Sequence, residues 1–375
     1  MKPRVLFVGR TRYRLPLSDW LRRKWDAVGR ELDFRVLAAA EGDARAADAR
    51  FRLVPRLRPH ALDGVLFYAS LPLRIRGEIE RFRPDAIVAE NPHVAAAALA
   101  ARALARSPRL RVIAEVHGDW RTATRLYGSP RRRLLSPLAD GVATFALRRV
   151  DAVRALSGFT ARIAERTRGR AVDASFPTYS DLALFAEREP LPLPDRPTAL
   201  FVGVLEPYKN VDGLAAAWRR VVLEVPHSRL VVVGRGSRRA AVEELVAEHP
   251  QRTEWVPELA PADVARRMDE SWVLVLPSRH EGLGRVVIES FARGRGVVAS
   301  GEGGILDLVR DEVEGLLVDP EDSASLAAAL ARVLSDRDLA DRLGAAARAR
   351  YARWHSTPEQ FARRLRELVD ATLAR

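Results

Sequence analysis

Two carboxylates flank a glycine-bearing step in the stretch "RHEGLGRVVIES" at residues 279–290. Glu281 immediately precedes Gly282 and Gly284, and Glu289 follows Glu281 after seven intervening residues. A carboxylate accepts hydrogen bonds from hydroxyl groups, and glycine lets backbone N–H groups approach a ligand closely. Two such acceptors with N–H groups between them suit a ligand that is hydroxyl-rich at both ends and anionic in the middle. A nucleotide sugar has that shape.

The flanking residues predict the elements that position this pair. The apolar run "WVLVLP" (272–277) predicts a strand, "SRHEGLG" predicts a loop at its carboxyl end, and residues 284–293 predict a helix that Gly294 ends. In open parallel α/β sheets, ligands bind outside the carboxyl ends of the strands, where the next helix points its N-terminal N–H groups. We therefore expect Glu281 in the loop and Glu289 in the helix to face one crevice.

The same alternation of short apolar runs and helical periodicity fills both halves of the chain. Further strands are predicted at 4–9, 33–39, 85–90, 111–116, 151–157, 198–205, 229–234 and 296–300. Further helices are predicted at 18–32, 94–106, 211–224 and 237–248. At 375 residues the chain exceeds the size at which one core keeps growing. The pattern predicts an α/β protein with two doubly wound parallel sheets.

Composition sets the domain boundaries and excludes some classes of site. Four prolines in "EREPLPLPDRP" (187–197) predict a linker. We expect a first domain over residues 1–188, a second over 189–357, and a final helix at 358–375 that packs back on the first domain. The absence of cysteine excludes disulfides and thiolate metal sites. No apolar run approaches the length of a membrane span, which predicts a cytoplasmic protein, with the inner face of the membrane as the alternative location.

The net charge of +13 is concentrated in one half of the chain. Residues 1–190 carry 36 basic and 21 acidic side chains, a balance of +15, whereas residues 191–375 carry 26 and 28, a balance of −2. Arginine supplies 59 of the 62 basic residues, which is typical of an arginine-rich proteome, but such a bias does not explain the uneven distribution. The asymmetry predicts that the first domain faces an anionic partner.

The motifs together resemble the retaining glycosyltransferases of family 4, which have the GT-B fold. The matching stretches are "FVGVLEPYKNVDGLAAAW" (201–218), "LVVVGRG" (230–236), "VLPSRHEGLGRVVIESFARG" (275–294), "VVASGEGGILDLVRDEVEGLLV" (297–318) and, more weakly, "VIAEVHGDW" (112–120) and "VDAVRALSGFTAR" (150–162). The resemblance implies two Rossmann-like domains that face each other across a cleft. It also implies a nucleotide-sugar donor, linked to UDP, GDP or ADP, and no cofactor or metal.

The resemblance implies roles for individual residues. Glu281 would bind hydroxyls of the donor sugar, Glu289 would hold the ribose, and Lys209 in "EPYKN" would neutralise the diphosphate. His117 in "EVHGD" would face the reacting sugar from the other domain. The implied catalytic residues are His117, Lys209 and Glu281, and the implied donor-binding residues are Gly9, Arg10, Gly203, Lys209, Gly234, Glu281, Gly282, Leu283, Gly284 and Glu289.

One position departs from the family pattern. The family usually has an arginine where this chain has Val204, and that arginine shares the diphosphate with the lysine. Arg10, Arg12 and Arg14, in "GRTRYR" after the first predicted strand, are candidates to replace it. The implied mechanism retains the anomeric configuration, and the departing phosphate itself accepts the proton of the attacking hydroxyl.

The basic first domain is expected to bind the acceptor, a glycan or a lipid-linked precursor. Residues 18–32 place Leu21, Trp25, Val28 and Leu32 on one helical face, which is typical of an ordinary core-facing helix. The alternative is that this helix and "RRR" at 131–133 dock on anionic lipid.

Other functions remain open at this point. The same fold serves sugar-nucleotide epimerases, phosphorylases and catalytically silent subunits, and charge alone would permit a nucleic-acid-binding protein, although no base-reading motif is present. The glutamate pair could be the acid and base of a hydrolase, but such carboxylates normally come from separate elements that flank the glycosidic bond. "DRD" at 336–338 formally matches a paired-aspartate metal motif, yet Asp336 is better placed as a helix cap.

Overall fold

The computed structural model describes residues 1–42, 48–55, 63–122 and 130–375, without the side chains of residues 130–133 and 135. The described residues form two compact units. The first unit consists of the described residues up to Ser180 together with Ser356–Arg375, and the second consists of Asp181–His355.

The first unit is built on a parallel sheet with the strand order β3-β2-β1-β4-β5-β6-β7. Its strands are β1 (Arg4–Tyr13), β2 (Asp33–Ala40), β3 (Phe51–Val54), β4 (Ala86–Ala89), β5 (Arg111–Val116), β6 (Ala152–Ala155) and β7 (Ala174–Ser175). The helices of residues 1–180 are α1 (Asp19–Glu31), α2 (Asp63–Phe82), α3 (Pro92–Leu104), α4 (Pro130–Arg149) and α5 (Gly158–Arg168).

The second unit is built on a parallel sheet with the order β10-β9-β8-β11-β12-β13. Its strands are β8 (Thr198–Val202), β9 (Arg229–Val233), β10 (Thr253–Val256), β11 (Val273–Leu276), β12 (Gly296–Ser300) and β13 (Gly315–Val318). Its helices are α6 (Ala183–Ala186), α7 (Val211–Glu224), α8 (Arg239–Glu248), α9 (Pro261–Asp269), α10 (Arg285–Ala292), α11 (Ile305–Leu308), α12 (Ser323–Ser335) and α13 (Arg337–Tyr351).

The two sheets confirm the predicted α/β fold class. Parallel strands are covered on both faces, so they read as continuous apolar runs, and all four residues of β11 are buried. Asp336 confirms its predicted role as a cap, because its side chain accepts a hydrogen bond from the backbone N–H of Leu339 at the start of α13. The proline-rich residues 187–197 lie in the second unit, where Arg293 donates to the carbonyl of Arg188 at 2.8 Å.

A last helix, α14 (Pro358–Leu373), completes the first unit. Thr357 and Gln360 form a capping box at its start, and Phe361 packs in the core that also holds Trp25 and Val28 of α1. Trp25 and Val28 are 4% and 0% exposed, so the apolar face of residues 18–32 is core-facing, as the simpler of the two interpretations predicted. Its proposed contact with lipid is therefore wrong for this face.

Candidate active site

An ion pair between Lys209 and Glu281 forms the centre of the site in the second unit. Lys209 ends a 3-10 turn (Pro207–Lys209) that follows β8, and Glu281 lies in the loop after β11. Because β8 and β11 are neighbouring parallel strands, their carboxyl ends bring the two side chains together. The Lys209 ammonium donates a hydrogen bond to Oε1 of Glu281, and the two side chains are only 13% and 12% exposed.

Arg279 ties the two loops of this pair to each other. Its backbone N–H donates to the carbonyl of Tyr208 at 2.8 Å, and its guanidinium donates to the carbonyl of Pro207 at 3.0 Å. The same guanidinium pairs with Glu321 at 2.5 Å. The turn that carries Lys209 is thus held directly by a residue two positions before Glu281. The sequence motif gave no signal for this role.

Asn210 fixes the junction between the turn and α7. It adopts a left-handed conformation with φ 54° and ψ 43°, which asparagine tolerates better than most residues. It is 1% exposed, and its amide donates to the carbonyl of Pro320 at 2.6 Å. A Cβ at Gly213 would lie 2.6 Å from that amide, so the glycine makes room for it. This residue also escaped the sequence prediction.

Gly203 and Gly234 come together, as two of the predicted donor-binding residues. Gly234 has φ +149°, and a Cβ there would lie 1.8 Å from the carbonyl oxygen of Gly203. The turns after β8 and β9 therefore touch through their backbones. A Cβ at Gly203 would lie 3.6 Å from Cε of Lys209, which places this contact directly beside the lysine.

A second glycine pair supports the loop of Gly282, Leu283 and Gly284 from behind. The N–H of Gly304 donates to the carbonyl of Glu281 at 2.8 Å, and a Cβ at Gly304 would lie 2.2 Å from the oxygen of Gly282. Gly284, with φ +82°, is the residue before α10. The "GG" at 303–304 belongs to the matched motif, but only the structure shows that it supports the loop of Glu281.

Glu289 is placed differently from Glu281. It lies one turn into α10, its side chain is 10% exposed, and its Oε1 is 2.7 Å from Nε of Arg285. Burial raises the pKa of Glu289, and Arg285 lowers it by a smaller amount. Among the described contacts, Glu289 pairs with Arg285 and not with Lys209 or Glu281. Its predicted role toward the ribose stays a prediction.

In the first unit the segment after the first predicted strand is not a loop. Strand β1 runs on to Tyr13 with a register shift between Val8 and Arg12, so the expected strand end at residue 9 is wrong. The reason is Glu90, whose carboxylate accepts the N–H groups of Arg10 and Thr11 that the irregularity leaves without strand partners. A Cβ at Gly9 would lie 2.0 Å from Oε2 of Glu90, so the glycine makes this contact possible.

Two of the three arginines suggested as replacements for the missing cation are engaged within the first unit, and the third, Arg14, is exposed. The guanidinium of Arg10 lies 3.2 Å from Asp63, and that of Arg12 lies 3.5 Å from the same carboxylate. Val204, in the second unit, is 47% exposed and offers no charge.

His117, whose side chain is 37% exposed, contacts a buried ion pair in the first unit. Its Nε2 lies 2.9 Å from Oε2 of Glu115, and Oε1 of Glu115 lies 2.9 Å from Nη2 of Arg154, which is fully buried. Burial alone would raise the pKa of Glu115, but Arg154 and His117 together lower it to about 2. Glu115 therefore stays ionised, and it orients the imidazole of His117.

Two family profiles match the chain one after the other. The profile described as Glycosyltransferase Family 4 matches residues 21–174, and the profile described as Glycosyl transferases group 1 matches residues 185–350. Between them the profiles cover most of the chain, including every strand of the second sheet and all strands of the first except β1 and the end of β7. This chain belongs to the group 1 glycosyl transferases, and its fold class is GT-B, as the resemblance implied.

Individual relatives agree with that family. The D-inositol 3-phosphate glycosyltransferase of Xylanimonas cellulosilytica is 39% identical over 181 residues, which cover 46% of this chain and 43% of that relative. The chain thus spans less than half of the length of this curated relative. The sucrose-phosphate synthase of Thermosynechococcus elongatus has the same fold, with a TM-score of 0.77, 21% identity and 100% of both chains covered. HepE of Anabaena, solved with UDP and glucose, gives a TM-score of 0.69 at 18% identity, with 98% of this chain and 100% of HepE covered.

Proposed function

We propose that this protein transfers a sugar from a nucleoside-diphosphate sugar to an acceptor hydroxyl. The observation that carries the proposal is the Lys209–Glu281 pair, which lies part-buried at the carboxyl ends of neighbouring strands beside a glycine loop. An ammonium suits a diphosphate and a carboxylate suits sugar hydroxyls. The neighbour HepE was solved with UDP and glucose, which are ligands of the proposed class.

In the proposed mechanism Lys209 stabilises the leaving diphosphate. Its charge is balanced by Glu281 in the structure, and a bound diphosphate would compete for the ammonium and leave the carboxylate free to accept sugar hydroxyls. The negative charge on the phosphate grows as the glycosidic bond breaks, so a preorganised cation lowers the barrier. We propose retention of configuration, with the departing phosphate as the acceptor of the attacking hydroxyl's proton. Because Val204 offers no charge, Lys209 is expected to matter more here than a shared lysine would.

The test begins with the donor. In a thermal-shift panel of UDP-, GDP- and ADP-sugars, the sugars of one nucleotide class should raise the melting temperature of the protein, because a ligand that binds the native state stabilises it. Lys209→Ala should lower kcat by roughly 10²-fold, the effect of losing one preorganised donor, whereas the exposed Lys2→Ala serves as the control and should turn over normally. NMR of the product's anomeric proton reports retention. No shift with any donor, or near-native turnover by Lys209→Ala, would overturn the proposal.

We further propose that the first unit contacts anionic lipid through α4, and not through the apolar face of α1, which is buried in the core. Four apolar side chains of α4 follow one helical face at spacings of four, four and three residues: Leu134 (81% exposed), Leu138 (70%), Val142 (40%) and Phe145 (55%). Exposed Arg148 and Arg149 follow this face at the C-terminal end of the helix. The side chains of the predicted "RRR" at 131–133 lie outside the described residues. An apolar stripe with flanking arginines suits an anionic bilayer surface, and a lipid-linked acceptor would be presented there.

Liposome co-sedimentation tests this contact. The wild type should bind vesicles of phosphatidylglycerol and phosphatidylcholine more strongly than vesicles of phosphatidylcholine alone. Binding should be lost in Leu138→Ser with Phe145→Ser. It should be kept in Leu223→Ser, which removes an even more exposed leucine (81%) from α7 of the second unit. Vesicle binding that does not depend on anionic lipid would count against the contact. A molar mass from light scattering that corresponds to two copies joined through α4 would also count against the contact. No described helix combines the length and apolarity needed to cross a bilayer.

A further inference from the structure

The first unit holds a cavity at the carboxyl edge of its own sheet. Its volume is about 280 Å³, the share of roughly nine water molecules at ~30 Å³ each. It is lined from α1 by Trp20 and Lys24, from the ends of the strands by Glu90 and Glu115, and from α14 by Phe361. Ligands of open parallel sheets bind at this edge, so the cavity lies where a ligand of this unit is expected.

The ammonium of Lys24 faces this cavity without a counter-ion. Among the described residues it makes no hydrogen bond and no ion pair, and its neighbours are the rings of Trp25 and Phe361 at 4.9 and 5.4 Å. Burial lowers the pKa of Lys24 to about 8, while Glu115 and Glu90 act from longer range in the opposite direction. A part-buried charge without a direct partner is costly, so the site favours an anion.

The other charged groups around the cavity are already satisfied. Glu115 is neutralised by Arg154 at 2.9 Å and also pairs with His117. Glu90 accepts hydrogen bonds from the N–H of Arg10 and from the N–H and hydroxyl of Thr11. Burial raises the pKa of Tyr13, which therefore stays neutral at physiological pH. Lys24 is thus the one charged group of the described lining that has neither a hydrogen-bond partner nor an ion-pair partner.

We propose that this cavity binds the acceptor by a phosphate group, with the Lys24 ammonium as its cation and Glu90, Thr178 and His117 as partners for the acceptor's hydroxyls. The lining carries both a cation and hydroxyl-binding groups, which fits a small phosphorylated polyol or sugar. The aromatic walls exclude water and so strengthen the ammonium–phosphate contact. This inference rests on the proposed function, because it names the acceptor of the same reaction.

Thermal shift and titration calorimetry of the full chain test the site with glucose 6-phosphate, glucose and inorganic phosphate as probes. Glucose 6-phosphate should bind and glucose should not. Lys24→Met should weaken the binding of glucose 6-phosphate roughly 10- to 100-fold, which is the range expected for loss of a hydrogen bond to a charged group. Lys24→Arg should retain part of the affinity, and Lys2→Met is the matched control. Binding should also weaken above pH 8, as the ammonium loses its proton.

Two further arms identify the source of the phosphate and separate this inference from the proposed function. Lys24-dependent binding of phosphatidylglycerol vesicles, without binding of glucose 6-phosphate, would support the phosphate site and assign its ligand to a lipid headgroup. Equal binding of glucose 6-phosphate by the wild type and Lys24→Met would overturn it, as would equal binding of glucose and glucose 6-phosphate. Donor-induced stabilisation should be the same in Lys24→Met and wild type. Absence of that stabilisation in both would refute the transferase and leave the anion site standing.

Discussion

Replacing Lys24 by methionine is expected to stabilise the unliganded protein, against the usual direction of point substitutions. Methionine keeps an unbranched apolar stem against Trp25 and Phe361 and removes the charge. Burial lowers the pKa of Lys24 from 10.5 to about 8, so the protonated form is disfavoured in the folded state relative to the unfolded chain. At about 1.4 kcal/mol per pKa unit, this shift corresponds to at most about 3.5 kcal/mol at pH 7.

The sign of the effect depends on pH in a defined window. Below pH 8 both states carry the proton, and the folded state bears the whole penalty. Between pH 8 and 10.5 the folded state releases its proton while the unfolded chain keeps it, so the stability of the wild type rises and the advantage of the variant shrinks. At pH 9.5 the advantage should be about half of its value at pH 7.

Thermal melts of wild type, Lys24→Met and Lys2→Met at pH 7 and pH 9.5 measure the stability advantage of the Lys24 variant. Lys24→Met should melt up to roughly 7–14 °C higher at pH 7, from about 2–4 °C per kcal/mol for a domain of this size. Lys2→Met should melt as the wild type does. Added glucose 6-phosphate should narrow this difference, because the wild type gains more stability from the ligand than the variant does. A Lys24→Met protein that melts below the wild type at pH 7, or that gains equally at both pH values, would refute the argument.

Three further substitutions test the scaffold of the site. Gly304→Ala forces a Cβ to 2.2 Å from a carbonyl oxygen of the Glu281 loop. It should therefore lower the free energy of unfolding by roughly 1–3 kcal/mol and abolish the rise in melting temperature that the donor causes. Gly141→Ala is the control and should be tolerated in the same melts, because a Cβ there meets nothing within 4 Å. Arg279→Lys keeps the charge but loses the fork that holds the Lys209 turn, so kcat should fall with little change in melting temperature, whereas the exposed Arg266→Lys should leave steady-state kinetics unchanged. Asp336→Ala removes a helix cap and should lower stability by about 1 kcal/mol in denaturant melts without affecting turnover.

The central strands of both sheets could be predicted from the sequence, and the four that were missed are the outermost ones. β3 and β7 are the edges of the first sheet, and β10 and β13 are the edges of the second. An edge strand pairs on one side only, so it can be short and need not be a continuous apolar run. β7 has two residues, and β10 reads "TEWV". The periodicity that marks a buried central strand is therefore absent from β7 and β10.

The site was predictable in its residues but not in their contacts. Lys209 and Glu281 stand in motifs 72 positions apart, and only the pairing of β8 with β11 shows that they bind each other. The support from Arg279 depends on a side chain reaching back to a carbonyl, which no spacing indicates. For Lys24 a signal did exist, because it is one of three lysines among 62 basic residues, but it was hidden within the basic face of α1.

The position of α14 has a consequence for how the protein is made. The helix at Pro358–Leu373 fills the core of the first unit, yet the ribosome synthesises it after the whole second unit. At roughly 5–20 residues per second, the nascent first unit waits on the order of 10–40 s for the helix that covers Trp25 and closes the Lys24 cavity. During that interval the second unit, contiguous in the chain, can fold while the earlier-made one still exposes an aromatic surface, which makes the latter the natural client of a chaperone.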